Sequence, residues 1–598
     1  MNKHILQVTN NILQRSRKSR QAYLQRIEQQ IGAGKSRAKL SCGNLAHTVA
    51  TCCLQEKQHI LDFTTINVGI ISAYNDMVSA HHPYADYPQQ IKSVLQQAGH
   101  SAQVAGAVPA MCDGITQGQE GMDLSLFSRD LIAQTTAIGL SHNTFDAALL
   151  LGICDKIAPG QLIGALSFGH LPTAFVPTGP MSTGISNKQK VHIRQQYAAG
   201  LIGKDQLQTM ENASYHGSGT CTFYGTANTN QLVFEAMGLM LPGSAFVPVD
   251  SPIRPHLTAL IARHMIKISK RNKDFRPLAK VVDEKSLVNG LVALLASGGS
   301  TNHTIHLIAV ARAAGLLLTW DDFSQLSEYV PLLTRVYPNG SADINQFYQA
   351  GGVPVLLKSL AERGLLHLDT LPIYGCMEDY FSEPQLENGE LSFKPIRYSR
   401  DADVIAPAQQ AFSPQGGLKV IDGNLGRGVI KISAVAAQHY KLTAPALVFE
   451  SQDDVVTAYH NGQLKQDAVI VVRNSGPAAR GMPELHKLMP ILGNVMEEGF
   501  RLFLVTDGRL SGASGKVPSI IHLCPESVNG GPLSFLHNGD MIEIDAENGT
   551  MRCLSDFSAR TPYQPDLSAE YQNSGRELFA LFRKNVSSAE EGASILFN

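Results

Sequence analysis

Short apolar runs separated by longer amphipathic stretches set the rhythm of the first half of the chain. Asn67–Ser72 and the runs 104–109, 145–153 and 174–177 read as short strands. Helical periodicity falls between them, most clearly over 124–139. Strands that alternate with helices predict an α/β region with a largely parallel sheet. Two further helices, 287–295 and 303–314, are joined by the loop 297–302. Ahead of the strands, the first forty residues form a polar helical arm with Tyr23, Leu24 and Ile27 on one face.

From 376 to 416 the pattern turns irregular, with Pro384, Pro395, Pro407 and Pro414, which predicts a boundary between a domain over 1–395 and another over 396–598. At 598 residues the chain exceeds what one core supports. After the boundary come short β-branched runs at 429–432, 468–472, 502–505 and 541–544, the last between Asn538-Gly539 and Asn548-Gly549. That spacing predicts a β-barrel or sandwich.

A formal charge of −2 with mixed signs offers no field to recruit nucleic acid or an anionic membrane. Only Arg15, Arg17, Lys18 and Arg20 form a basic cluster. No apolar run approaches a membrane span, and the N-terminal stretch lacks the apolar core of a signal peptide, so a cytoplasmic protein is expected. The nine cysteines are scattered without a CxxC pair. They indicate neither a disulfide framework nor a zinc ribbon, and reduced thiols are free to bind iron.

The densest chemistry is Cys154-Asp155-Lys156, a thiol, a carboxylate and an amine at a strand end, where open α/β sheets gather ligands. Pro159-Gly160 is expected to break the chain just after it. Taken alone, the triplet is equally a buried thiol beside a solvated turn pair. Cys221 lies among small residues that leave room for a bulky group. Asp113, after Cys112, supplies a carboxylate or merely an Asx turn. Glu484, after a Gly- and Pro-rich loop, is a ligand or a capping charge. Ser511, among glycines after a strand, is a nucleophile, a phosphate binder or a turn former, and fits neither the GxSxG elbow nor the P-loop. The 297–302 loop could hold an anion at a helix N-terminus or be a plain connection. His303 and His306 lack the HExxH pattern and read as packing or polar contacts.

The motifs CDKIAPG, GTCTFYGTANT, CDGITQGQEGM and TDGRLSGASGK, spread over nearly the whole chain, are similar to those of the dihydroxy-acid/6-phosphogluconate dehydratase family. The segments 42–47, 72–77 and 482–490 resemble its sugar-phosphate branch most closely. The resemblance implies an N-terminal α/β/α domain, a C-terminal β-barrel domain, an iron–sulfur cluster and a homodimer or dimer of dimers. It puts cluster ligands on Cys154 and Cys221, magnesium ligands on Asp113, Asp155, Lys156 and Glu484, and the catalytic base on Ser511. The family's lysine is carbamylated; without magnesium, Lys156 would stay an ammonium and bind the substrate carboxylate.

One departure stands out. Where members with a 2Fe-2S cluster have a further cysteine, this chain has Ala80. Cys112 is then a third thiol ligand or a buried spectator, and the loss accords with a 4Fe-4S, aconitase-like cluster with one iron open to substrate. The implied reaction is dehydration of 6-phospho-D-gluconate in the Entner–Doudoroff pathway. Alternatives are dehydration of an unphosphorylated sugar acid or dihydroxy acid, and, from another class, an iron or redox sensor. Candidate phosphate anchors are the basic N-terminal arm, Arg509, Lys516 and His486-Lys487.

Overall fold

The computed structural model describes all residues except Arg271, Ala408, Ala513 and Asn598. Strands β1 (Asn67–Ser72), β2 (Ser101–Ala107), β3 (Ala147–Leu151) and β4 (Thr173–Phe175) form a wholly parallel sheet in the order β2-β1-β3-β4. β1 and β3 are buried at every position, and strands covered on both faces read as unbroken apolar runs. Val68 pairs with Ala102 on one side and Ala147 on the other. The carboxyl ends of these strands therefore finish together and launch their loops from one edge.

The helices Ser125–Leu140 and Ile157–Leu166 pack directly against each other. A Cβ on Gly160 would lie 2.6 Å from the Arg129 carbonyl oxygen, and one on Gly164 would lie 2.4 Å from that of Ala133. Only glycine permits so close an approach. Pro159-Gly160 does not break the chain as expected; Pro159 sits in the first turn of a buried helix, where its missing N–H forfeits no intrahelical bond. Cys154, Asp155 and Lys156 are thereby held between the end of β3 and a rigid helix start.

The polar arm is a packed helix, Lys3–Gly32, with Ile5, Val8, Ile12, Tyr23 and Ile27 buried. Arg20 donates to the carbonyls of Ala314, Ala279 and Val282. Arg15 donates to Leu317 O at 2.9 Å and pairs with Asp322. This basic stretch, a candidate phosphate anchor by sequence, commits Arg15 and Arg20 to the fold.

Within the irregular region lies a hairpin, β5 (Ser382–Glu387) and β6 (Glu390–Pro395). Its turn is Asn388-Gly389 with φ of 53° and 82°, the left-handed pair a tight hairpin requires. Beyond it, Ile405 and Ser413 bridge back to Thr334 and Leu332.

The remaining strands are β7 (Leu418–Ile421), β8 (Arg427–Lys431), β9 (Lys441–Phe449), β10 (Ala468–Val472), β11 (Leu502–Thr506), β12 (Ser519–Cys524), β13 (Met541–Asp545) and β14 (Thr550–Cys553). They form one sheet in the order β14-β13-β9-β10-β11-β12-β8-β7. β9 to β12 run parallel, with helices Gln452–His460 and Leu488–Glu497 as crossovers, and the flanking strands are antiparallel. Asp422, just after β7, bridges to Thr550 and nearly closes the barrel.

Side-chain alternation gives β10 and β11 two buried faces. Val469, Val471, Phe503 and Val505 fill the barrel with Ile542, Ile544 and Met551. Ala468, Ile470, Val472, Leu502 and Leu504 join the core shared with the N-terminal half. The C-terminal segment returns to that half: Arg129 donates to Ala593 O at 2.7 Å, and Asp130 accepts from Ser594 Oγ and the Ile595 amide. Among the described residues, no helix is long and apolar enough to cross a membrane.

Candidate active site

Loops from the carboxyl ends of the two sheets meet around a buried cluster of charge. Asp113 starts the short helix Asp113–Thr116 beyond β2, and Asp155 and Lys156 follow β3. Glu484 and Arg509 arrive from the loops after β10 and β11 and pair their backbones in an isolated bridge. One carboxylate oxygen from each of Asp113, Asp155 and Glu484 lies within 4.8 Å of the others. Three carboxylates converging on one point suit a hard cation.

Two cations balance them. Lys156 pairs closely with Asp113 and lies 3.6 Å from Asp155 Oδ2. Arg509, 1% exposed, reaches Asp113 Oδ2 at 3.0 Å and Glu484 Oε1 at 3.3 Å, and donates from Nε to Met482 O. Ser125 Oγ donates to Asp113 Oδ1 at 2.5 Å, and Gln117 Nε2 to Glu484 Oε2 at 3.2 Å. Burial works to raise the Asp113 carboxyl, but Lys156 and Arg509 outweigh it and hold it below the usual carboxylate range. Burial and then the Asp113 charge push Glu484 up to about 7.

Beside the carboxylates is a group of thiols. Burial raises Cys112, Cys154 and Cys221, the last to about 12; Cys112 adds to the rise of both Cys154 and Cys221, and Cys221 to that of Cys154. Electrostatic influence of this kind falls off with distance, so it places these sulfurs near one another. Without a cation they stay neutral thiols; bound iron would ionise them. Cys112 packs against a small apolar cluster of Val78, Ala80 and Ile153. Cys112 therefore packs against the cluster that holds Ala80, the position where a cysteine is lacking, and Ile153, which precedes Cys154. The donor set suits a soft, iron-containing group.

Two asparagines on the helix Thr226–Ala236 fix both cysteine loops. Asn228 Nδ2 donates to the carbonyls of Cys221 and Phe223 at 2.7 and 2.8 Å, and Asn230 Nδ2 donates to that of Asp155 at 3.0 Å. His303 bonds Asn230 Oδ1 at 3.0 Å, so this histidine is a polar contact, as its pattern suggests. His81 accepts from the Ile153 amide at 3.2 Å and is fully buried, which lowers it from 6.5 to about 3.

The folded state thus binds fewer protons at His81 than the unfolded chain. Stability from His81 is present above pH 6.5 and is lost as pH falls toward 3, by about 1.4 kcal/mol per unit. Between pH 6.5 and 5 the wild type should lose about 2 kcal/mol more than His81→Gln in urea unfolding; equal losses would refute this.

Ser511 follows Arg509 by two residues and lines a pocket with Thr301, Asn302, Lys431 and Ser514. Asn302 Nδ2 donates to Leu510 O at 3.1 Å, pinning the start of the serine loop to the helix His303–Ala313. Ala513 of this loop is outside the described residues. In the 297–302 loop, the amides of Ser300 and Asn302 already donate to Thr229 Oγ1 and Ser300 Oγ, so protein oxygens occupy this helix start.

The structure thus brings Asp113, Asp155, Lys156 and Glu484 together, with Cys112, Cys154 and Cys221 adjoining. Arg509, a candidate phosphate anchor by sequence, is held between two carboxylates. Lys487 pairs with Asp453 on the helix Gln452–His460. Sequence pattern alone does not single out Ser125, Gln117, Asn228 or Asn230. The Asn-x-Asn spacing inside GTANTN is the available signal for the last two.

A model of the dihydroxy-acid/6-phosphogluconate dehydratase N-terminal region matches residues 66–378, and one of its C-terminal region matches 403–593. The chain belongs to the dihydroxy-acid/6-phosphogluconate dehydratase family. It is 54% identical to a phosphogluconate dehydratase of Escherichia coli (strain K12), covering 100% of both chains, and 52% identical to one of Pseudomonas aeruginosa over 99% of this chain and 98% of the relative. A dihydroxy-acid dehydratase of Ignicoccus hospitalis is 31% identical over 88% of this chain and 94% of its own length.

Proposed function

We propose that this chain is a hydro-lyase that converts 6-phospho-D-gluconate to 2-dehydro-3-deoxy-6-phospho-D-gluconate, the dehydration step of the Entner–Doudoroff pathway. The observation that carries this is identity near half, over full length, to relatives named phosphogluconate dehydratase. The thiol and carboxylate sets suit the same chemistry.

The reaction must remove a weakly acidic proton from C2 and expel hydroxide, a poor leaving group, from C3. Cys112, Cys154 and Cys221 would hold a 4Fe-4S cluster through their thiolates. When bound, it supplies a Lewis acid that makes the C3 hydroxyl a better leaving group. Asp113, Asp155 and Glu484 are the oxygen set for a magnesium ion, joined by Lys156 if it is carbamylated. Arg509 keeps this set aligned by holding Asp113 and Glu484 from one guanidinium. Ser511 takes the C2 proton, and the enol relaxes to the 2-keto acid. The cytoplasm, which keeps thiols reduced, is the proposed location. A homodimer or dimer of dimers is the proposed assembly, supported by exposed Val104 on the edge strand β2 and Ile138 on the adjoining helix.

Anaerobic turnover by iron-reconstituted protein tests the assignment. The expected result is 2-keto acid formation from 6-phosphogluconate, with gluconate and a branched-chain dihydroxy acid turned over at least about a hundredfold more slowly, some 3 kcal/mol of transition-state discrimination. Comparable rates on either comparator would overturn the substrate assignment.

A further inference from the structure

Lys431, the last residue of β8, is a buried amine with no counter-charge among the described residues. It is 7% exposed, and among the described residues its Nζ meets only the carbonyl oxygens of Gly298 and Gly299, at 3.3 and 3.5 Å. Among the described residues it forms no ion pair. The charged and titratable side chains on the neighbouring strands are engaged elsewhere. Arg427, on β8 itself, pairs with Asp321, Asp422 and Glu590. Lys419 on β7 donates to Glu547 O, and His522 on β12 bonds Thr304 Oγ1.

Lys431 lines the same pocket as Ser511. A second polar group in that pocket is incompletely satisfied: Asn302, 1% exposed, has no hydrogen bond to its Oδ1 among the described residues. Buried polar atoms are normally satisfied, so the pocket offers an open acceptor to an incoming polar group. A serine hydroxyl is too weak a base to take a carbon-bound proton until its own proton has gone elsewhere.

Resting on the reading of Ser511 as the C2 base, we propose that Lys431 is the group that accepts the Ser511 proton, so that the two act as a serine–lysine pair. The neutral amine of Lys431 takes the proton from Ser511 Oγ, and the resulting alkoxide takes the proton from C2. The C2–H electron pair becomes the C2=C3 bond as the C3–O bond breaks with its pair. The Lys431 ammonium then returns its proton, which combines with the expelled hydroxide as water. Serine and lysine end as they began, and the net change is loss of one water. Burial supports the role by lowering Lys431 to about 8, which populates the neutral amine near neutral pH.

The test compares Lys431→Met, Lys431→Arg and Ser511→Ala in the cluster-loaded enzyme, with iron content and circular dichroism as checks on folding. Expected for both lysine variants is a kcat reduced at least about a hundredfold with KM within about threefold, as for a general-base contribution. The wild-type kcat should rise with pH to a limb near 8, and that limb should be absent in Lys431→Met. Added ethylamine should restore part of the Lys431→Met rate, which loss of packing alone would not allow. Activity retained by Lys431→Arg would overturn the proposal, because arginine keeps the charge but accepts no proton. So would a KM raised more than about tenfold with kcat intact, which would make Lys431 a substrate anchor. If Ser511→Ala is inactive while Lys431→Met keeps its rate and pH limb, the lysine proposal alone fails. If Ser511→Ala is itself active, the serine assignment fails and the proposal with it.

Discussion

Cys112→Ser protein, reconstituted with iron and sulfide without oxygen, is expected to lose its cluster absorbance and on the order of a thousandfold in kcat/KM, about 4 kcal/mol of transition-state stabilisation. Serine keeps the size of the side chain but replaces a soft thiolate with a hydroxyl that binds iron poorly. Cys154→Ser and Cys221→Ser should behave alike, because Cys112 lies near enough to both thiols to shift them electrostatically. Cys553→Ser is the control: this buried cysteine sits in the barrel core and should leave the cluster in place. A Cys112→Ser protein with full iron content and activity would place the third ligand elsewhere.

Arg509→Met is expected to fail for a different reason. It removes the guanidinium shared by Asp113 and Glu484 and leaves two buried carboxylates with Lys156 as their nearest cation. Removing one partner of a buried ion pair costs about 3–5 kcal/mol, chiefly because the remaining charge stays desolvated. Stability in urea should fall by that amount, and activity with it. Arg509→Lys should recover little, since an ammonium cannot span both carboxylates and the Met482 carbonyl as the planar fork does. Adding Glu484→Gln to Arg509→Met should restore part of the stability but not the activity. An Arg509→Met protein as stable as wild type would show that the carboxylates are not held ionised against this arginine.

The difference between what sequence conveys and what it withholds is visible at individual residues. The strands around Ile70, Leu149, Val471 and Leu504 are legible because burial on both faces demands apolar side chains whatever their partners. The barrel is legible from its spacing, though not its parallel centre, since period-two texture does not record strand direction. Asn388-Gly389 is a readable hairpin signal that the surrounding prolines obscure. Pro159-Gly160 misleads because a proline in a helix's first turn resembles one that ends a strand. Arg509 is recognisable as a cation, but its role as a clamp is hidden. Its contact with Asp113 spans 396 residues, and no local pattern encodes a partner so distant. Lys431 looks like any strand-end lysine until its pocket is visible.

The cross-chain construction of the site also sets an order in time. All three thiols lie within the first 221 residues, and every strand of the first sheet precedes Cys221. The carboxylate cluster is completed only by Glu484, and its clamp by Arg509. Domains fold from the N-terminus as the chain is made. A chain still on the ribosome therefore presents these three thiols, exposed and oxidisable, long before the elements that cover them exist. If these thiols take up the proposed cluster, its loading and barrel docking become successive events, and oxidants acting in that interval would yield full-length protein closed over oxidised thiols.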